Sequence, residues 1–251
     1  MNLIVDIGNT RIKAGVFQQD ELKQHFAFNH PITELTTIKE LINKEILNDR
    51  AVTNCIVASV VDPIDLFVNY LKEKAPTLLF TDTTPTPLVN MYKSATTLGS
   101  DRLAAAVGGY VLFPGKNILV IDTGTCLKYN FVTNDSKYIG GAISPGLKMR
   151  FKALHNFTSR LPLVEPDENF KTLIGTTTHE SILSGVEIGS IAEIDGFIEK
   201  YKSLYPGISV ILTGGDACFF EKRLKKPIFA DPFLTLKGLN AILEYNIRRS
   251  K

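Results

Sequence analysis

Two aspartates, Asp6 and Asp122, each close an apolar run and open a glycine turn rich in hydroxyls. The first copy reads Ile4-Val5-Asp6-Ile7-Gly8-Asn9-Thr10-Arg11-Ile12-Lys13, the second Val120-Ile121-Asp122-Thr123-Gly124-Thr125-Cys126-Leu127-Lys128. A strand, a carboxylate, a turn and a return strand set free backbone N–H groups beside one acidic side chain. That combination suits a phosphate chain and the cation that accompanies it. A single copy is equally well explained as a plain tight turn, in which glycine supplies positive φ. Two copies near the starts of two roughly equal halves, sharing aspartate, glycine, threonine and lysine in order, point to a duplicated unit. Facing each other, two such hairpins would clamp one phosphate chain.

A third carboxylate, Asp101, stands at the start of the helical run Arg102 to Phe113, where backbone N–H groups and the macrodipole favour an anion. An ionised carboxylate there can accept a proton, although simple capping of the helix by Asp101 or Ser100 predicts the same residues. Arg102 offers a fork of donors to an anionic group, or a long stem to cover apolar surface.

Composition bounds the rest. The 251 residues are 44% hydrophobic, ample for a packed core, and the 28 basic and 26 acidic side chains leave a formal charge of +2 without a long basic block. Nucleic-acid binding is therefore not expected. No signal peptide is recognisable at Met1 to Val5, and no run approaches the roughly 20 apolar residues of a membrane span. Cys55, Cys126 and Cys218 are expected as reduced core or turn residues of a cytosolic protein, and His25, His30, His155 and His179 lack metal-ligand spacing.

The elements that must position these groups follow from periodicity and punctuation. Strands are predicted at about Asn2 to Ile7, Arg11 to Phe17 and Glu21 to Asn29, then a helix through Leu35, Ile38, Leu41, Ile42 and Ile46. A strand at Val52 to Val61, a helix at Pro63 to Lys74 and a short strand at Thr77 to Thr81 follow, with Thr81 to Thr97 as a long surface segment. The second half opens with strands at Asn117 to Asp122 and Lys128 to Thr133. Gly140-Gly141 and Pro145-Gly146 punctuate the approach to a helix through His155. A long helix from His179 to Tyr205, a strand at Ser209 to Leu212, a short helix, a strand near Pro227 to Ala230 and a last helix from Leu234 to Arg248 complete the pattern. This is a duplicated α/β unit with mixed sheets and helices packed on them, divided as residues 1–115 and 116–251.

On these residues the chain resembles the type III pantothenate kinases, members of the acetate kinase, sugar kinase, Hsp70 and actin superfamily. The resemblance is carried by Asp6-Ile7-Gly8-Asn9-Thr10, by Leu98-Gly99-Ser100-Asp101-Arg102, by Asp122-Thr123-Gly124-Thr125, and by Gly140-Gly141-Ala142-Ile143-Ser144-Pro145-Gly146 with Thr158-Ser159-Arg160-Leu161-Pro162. Gly175-Thr176-Thr177-Thr178, Thr213-Gly214-Gly215 and Leu236-Lys237-Gly238-Leu239 extend it along the chain.

The resemblance implies duplicated actin-like (ribonuclease H-like) domains and ATP-dependent phosphorylation of pantothenate in the first step of coenzyme A biosynthesis. Asp101 would activate the primary hydroxyl of pantothenate. Asp6 would organise Mg²⁺ through water, with Gly8, Asn9, Thr10 and Lys13 at the phosphates. Thr125, Gly214 and Gly215 would bind the nucleotide. Tyr92, Gly99, Ser100 and Arg102 would bind substrate, with Thr178 contributed across a homodimer interface. Asp122 would hold a monovalent cation, K⁺ or NH₄⁺. A cytoplasmic location is implied as well. The alternatives within the superfamily are a non-catalytic transcriptional accessory protein and a filament former.

Two departures stand out. Lys128 and Asn130 replace a threonine and an aspartate common in the family, changing the local charge by about two units and suggesting that the Lys128 ammonium takes over part of the cation's role. Ala95 lies in the loop where a proline is usual.

Overall fold

The computed structural model describes residues 1–29, 52–61, 63–225 and 228–250. The helix predicted from Leu35 to Ile46 lies outside them. The chain divides into two units: Met1–Gly115 with Asp135–Ile139 and Phe233–Lys251, and Lys116–Asn134 with Gly140–Pro232.

The first unit is built on a mixed sheet of order β3-β2-β1-β4-β5, from β1 (Asn2–Ile7), β2 (Arg11–Gln18), β3 (Glu21–Asn29), β4 (Asn54–Ser59) and β5 (Thr77–Leu79). β1 pairs antiparallel with β2 and parallel with β4, so it is central, and all six of its residues are buried. Side chains alternate across it. Leu3, Val5 and Ile7 join Phe67, Val68 and Leu71 of α1 (Asp65–Lys72) in one core. Asn2, Ile4 and Asp6 share the other face.

The expected surface segment contains a two-residue strand, β6 (Val89–Asn90), and a single 3₁₀ turn at Ala95–Thr97. α2 (Ser100–Leu112) follows, buried continuously from Arg102 to Gly109, its alanines and glycines leaving room for neighbours on every side.

The second unit repeats the hairpin opening. β7 (Ile118–Thr123) pairs antiparallel with β8 (Cys126–Val132) and parallel with β10 (Ser209–Thr213), in the order β11-β10-β7-β8-β9. β9 is Lys137–Pro145, and its first residues pair with β6. β11 is Phe229–Ala230. The helices are α3 (Leu147–Asn156), α4 (Thr178–Leu183), α5 (Gly189–Leu204), α6 (Ala217–Glu221) and α7 (Leu234–Arg249), the last belonging to the first unit. The long helix expected from His179 is interrupted by a π-turn at Ser184–Ile188.

β9 corrects the sequence reading, which took Gly140-Gly141 as punctuation. Both glycines have positive φ, +126° and +155°, and a Cβ on Gly141 would overlap the Tyr129 carbonyl of β8. They let a strand pass close to its neighbour. All three cysteines are free. Burial pushes the Cys55 thiol up to about 11, as expected of a core residue, whereas Cys218 is exposed on α6. Among the described residues no helix is long and apolar enough to cross a membrane.

Candidate active site

In the first unit Asp6 lies near the end of β1, only 8% exposed, in register with Lys13 of β2. The turn between them is closed by the Gly8 N–H donating to Arg11 O at 3.0 Å, and it presents Asn9 and Thr10 to solvent.

The end of β4 connects this hairpin to α2. Ile7 is in register with Ser59, and the Ser59 carbonyl accepts a hydrogen bond from Ser100 Oγ at 3.1 Å. Neither Ser100 nor Asp101 is the helix cap: Gly99 holds that position, with no side-chain cap. Asp101 sits one residue inside the helix, where its Oδ1 accepts the Arg102 N–H at 2.8 Å. A Cβ on Gly99 would come within 2.6 Å of that oxygen, so the carboxylate folds back over a residue that must be bare.

Arg102 is buried, its guanidinium 5.5 Å from the centre of the Tyr92 ring, and Tyr92 in turn lies 6.2 Å from Tyr138. The structure therefore gathers Tyr92, Gly99, Ser100, Asp101 and Arg102 at one end of α2. A cleft of about 450 Å³ opens beside them, lined by Ser59, Asn90, Thr97, Gly99 and Ser100.

In the second unit Asp122 is in register with Lys128 on one side and Thr213 on the other. Thr123 Oγ1 donates to Thr213 O at 2.9 Å, and the Asp216 N–H donates to Thr123 O at 2.9 Å. Gly214, at φ +101°, has no room for a Cβ, which would strike Thr123 and Asp122. Thr213-Gly214-Gly215 thus lies against the base of the hairpin. At the tip, the Gly146 N–H donates to Thr125 O at 3.1 Å, bringing the start of α3 to Gly124-Thr125. Thr125 itself is exposed.

The choice among three adjacent threonines is narrowed by hydrogen bonding. Thr177 caps α4 through its hydroxyl and Glu180 returns the bond, while Glu180 Oε2 also accepts from the Thr176 hydroxyl and N–H at 2.7 Å. These bonds, the Thr176 hydroxyl foremost, hold the Glu180 carboxyl below its usual range. The exposed Thr178 hydroxyl is uncommitted among the described residues.

One polar cluster escaped sequence reasoning. Glu193 of α5 accepts from Tyr129 Oη at 3.0 Å and Ser144 Oγ at 2.6 Å, and pairs with Arg150 of α3. Burial raises the Glu193 carboxyl, but the bonds from Ser144 and Arg150 outweigh it and the net shift is downward. Burial, with the Glu193 charge beside it, pushes the Tyr129 phenol far up. The partners are tens of residues apart, so no local spacing announces them.

Mixed sheets opening on an acidic hairpin, twice in one chain, define the sugar kinase and actin class of folds. Solved structures agree: a protein from Campylobacter jejuni assigned to the Baf family of transcriptional activators superposes with a TM-score of 0.62 at 18% identity, covering 98% of this chain and 99% of that one. A ROK family glucokinase from Streptomyces griseus, in complex with glucose and AMPPNP, gives 0.51 at 14% identity, covering 97% and 98%. At such identities the likeness is one of fold.

Sequence comparison goes further. The profile of the type III pantothenate kinase family matches residues 2–200, and a type III pantothenate kinase from Bacteroides fragilis is 44% identical over 248 residues, 98% of each chain. The chain belongs to the type III pantothenate kinase family.

Proposed function

We infer that this protein is an ATP-dependent pantothenate kinase, producing 4'-phosphopantothenate in the first step of coenzyme A biosynthesis. The family membership supports the reaction, and one structural observation supports the assignment of residues: the Ser100–Ser59 hydrogen bond ties the acidic start of α2 to the strand beside the Asp6 hairpin. A carboxylate able to take a proton is thereby fixed next to a turn able to hold phosphate.

Phosphoryl transfer asks mainly for positioning and charge neutralisation. Asp101 accepts the proton of the primary hydroxyl as its oxygen bonds to the γ-phosphorus, and ADP leaves with the electron pair of the broken P–O bond. Tyr92, Gly99, Ser100 and Arg102 hold the acceptor. Gly8, Asn9, Thr10 and Lys13 serve the phosphates, and Thr125, Gly214 and Gly215 serve the nucleotide.

No group of three His, Cys, Asp or Glu residues fit for a metal occurs among the described residues. Asp6, only 8% exposed near the end of β1, would meet through water a divalent ion that arrives with ATP. Such an ion supplies neutralisation of phosphate charge.

The working form is a cytoplasmic homodimer in which Thr178 completes a neighbour's acceptor site. Its uncommitted hydroxyl, and Leu173 and Ile174 at 70% and 77% exposure just before it, support an interface there. A regulatory role is not favoured, since a regulator has no chemical need for Asp6, Asp101, Arg102 and Asp122 together.

The test is ADP release from purified protein with ATP and Mg²⁺, with and without pantothenate. Release should depend on pantothenate and fall about 10²–10⁴-fold in Asp101→Asn. Equal release by wild type and variant removes Asp101 from the chemistry.

A further inference from the structure

The two hairpins place an aspartate and a lysine in cross-strand register, and in the second the two side chains form an ion pair. Lys128 Nζ lies 2.8 Å from Asp122 Oδ2, with the side chains 18% and 14% exposed. The other oxygen, Oδ1, faces the bare Gly214, where even a Cβ would come within 2.5 Å of it. The carboxylate is thus held between an ammonium on one side and close backbone on the other. In this half-buried setting water screens charge weakly. A mobile monovalent cation on Asp122, as the family resemblance implies, would have to share the carboxylate with a fixed charge of its own sign. The residues present do not fit one.

We propose that the Lys128 ammonium is the built-in monovalent cation of the second phosphate hairpin, and that this kinase therefore works without added K⁺ or NH₄⁺. The fixed charge stands three residues from the exposed turn residue Thr125 and balances Asp122 without an equilibrium with solvent ions. The proposal rests on the kinase reading above.

Turnover of pantothenate should be measured in choline chloride and in KCl at equal ionic strength, for the wild type and for Lys128→Thr. The wild type should differ less than 2-fold between the salts. The variant should lose at least 10-fold in choline and recover most of it in KCl or NH₄Cl. Melting temperatures in the same salts give a readout independent of turnover: KCl should raise that of the variant and not that of the wild type.

Activation of the wild type 10-fold or more by K⁺, or a K⁺-specific rise in its melting temperature, overturns the proposal. So does a folded variant as active in choline as the wild type, which would make the pair merely structural. If Lys128→Thr does not fold, the wild-type arms decide alone. If the wild type turns over pantothenate in neither salt, the kinase reading fails, while the melting comparison still decides what occupies Asp122.

Discussion

Gly238 of α7 lies so close to Ala104 of α2 that a Cβ in place of its hydrogen would overlap the Ala104 carbonyl oxygen, and Gly108 meets the Leu234 carbonyl in the same manner. Two helices more than a hundred residues apart in sequence are thereby pressed backbone to backbone. α7 also rests on β1, β2 and β4, so the crossing locks α2, and the Asp101 at its start, to the sheet that carries Asp6.

Gly238→Ala must therefore push the helices apart. Overpacking of this kind costs about 1–3 kcal/mol. Urea unfolding should show that loss, and kcat should fall although the residue touches no substrate. A variant as stable as the wild type would mean that the crossing is looser than its geometry.

Gly99→Ala separates positioning from stability. Its new methyl would stand 2.6 Å from Asp101 Oδ1, and the carboxylate is the group able to move aside. The expected outcome is a loss of less than about 1 kcal/mol in stability with at least a 10-fold drop in kcat. Ser100→Ala should show a different balance, losing about 1 kcal/mol with the bond to Ser59 and lowering kcat through a less firmly held helix start.

The hairpins were legible because their chemistry is local. An apolar run, Asp-x-Gly and a return strand are written within ten residues, and both hairpins form as that pattern predicts, with Asp6 opposite Lys13 and Asp122 opposite Lys128. Long-range relationships were not legible. Gly140-Gly141 looks the same in sequence whether it turns a chain or lets β9 pass close to Tyr129, and only the neighbouring strand decides. Likewise the three threonines before His179 could be told apart only once Glu180 had bonded two of them. Glycine in a helix reads as a weakness until its partner, here Gly108 against Leu234, is known.

That division among the threonines is open to measurement. Thr177→Ala removes the cap of α4 and should cost about 1 kcal/mol, visible in thermal unfolding. Thr178→Ala leaves the cap in place. If Thr178 completes the acceptor site of a neighbour, it should raise KM for pantothenate at least 5-fold while leaving stability within about 0.5 kcal/mol. An unchanged KM would remove Thr178 from the site.

Glu187 offers a pH test. It sits in the π-turn, fully buried, with Oε1 accepting the Asp167 N–H at 2.7 Å and Oε2 without a hydrogen-bond partner among the described residues. Burial raises its carboxyl above the ordinary range, against the opposing effects of the Asp167 bond and the Arg223 charge. The folded protein thus keeps this proton to a higher pH than the unfolded chain does. The resulting stability is complete below the ordinary glutamate value of about 4.3 and is lost as pH rises through the raised folded value. Glu187→Gln keeps the neutral form at every pH, so its unfolding free energy should exceed that of the wild type at pH 7 and the difference should shrink toward pH 4. Parallel pH profiles for the two proteins would show that Glu187 is ionised in the fold, its charge balanced by Arg223.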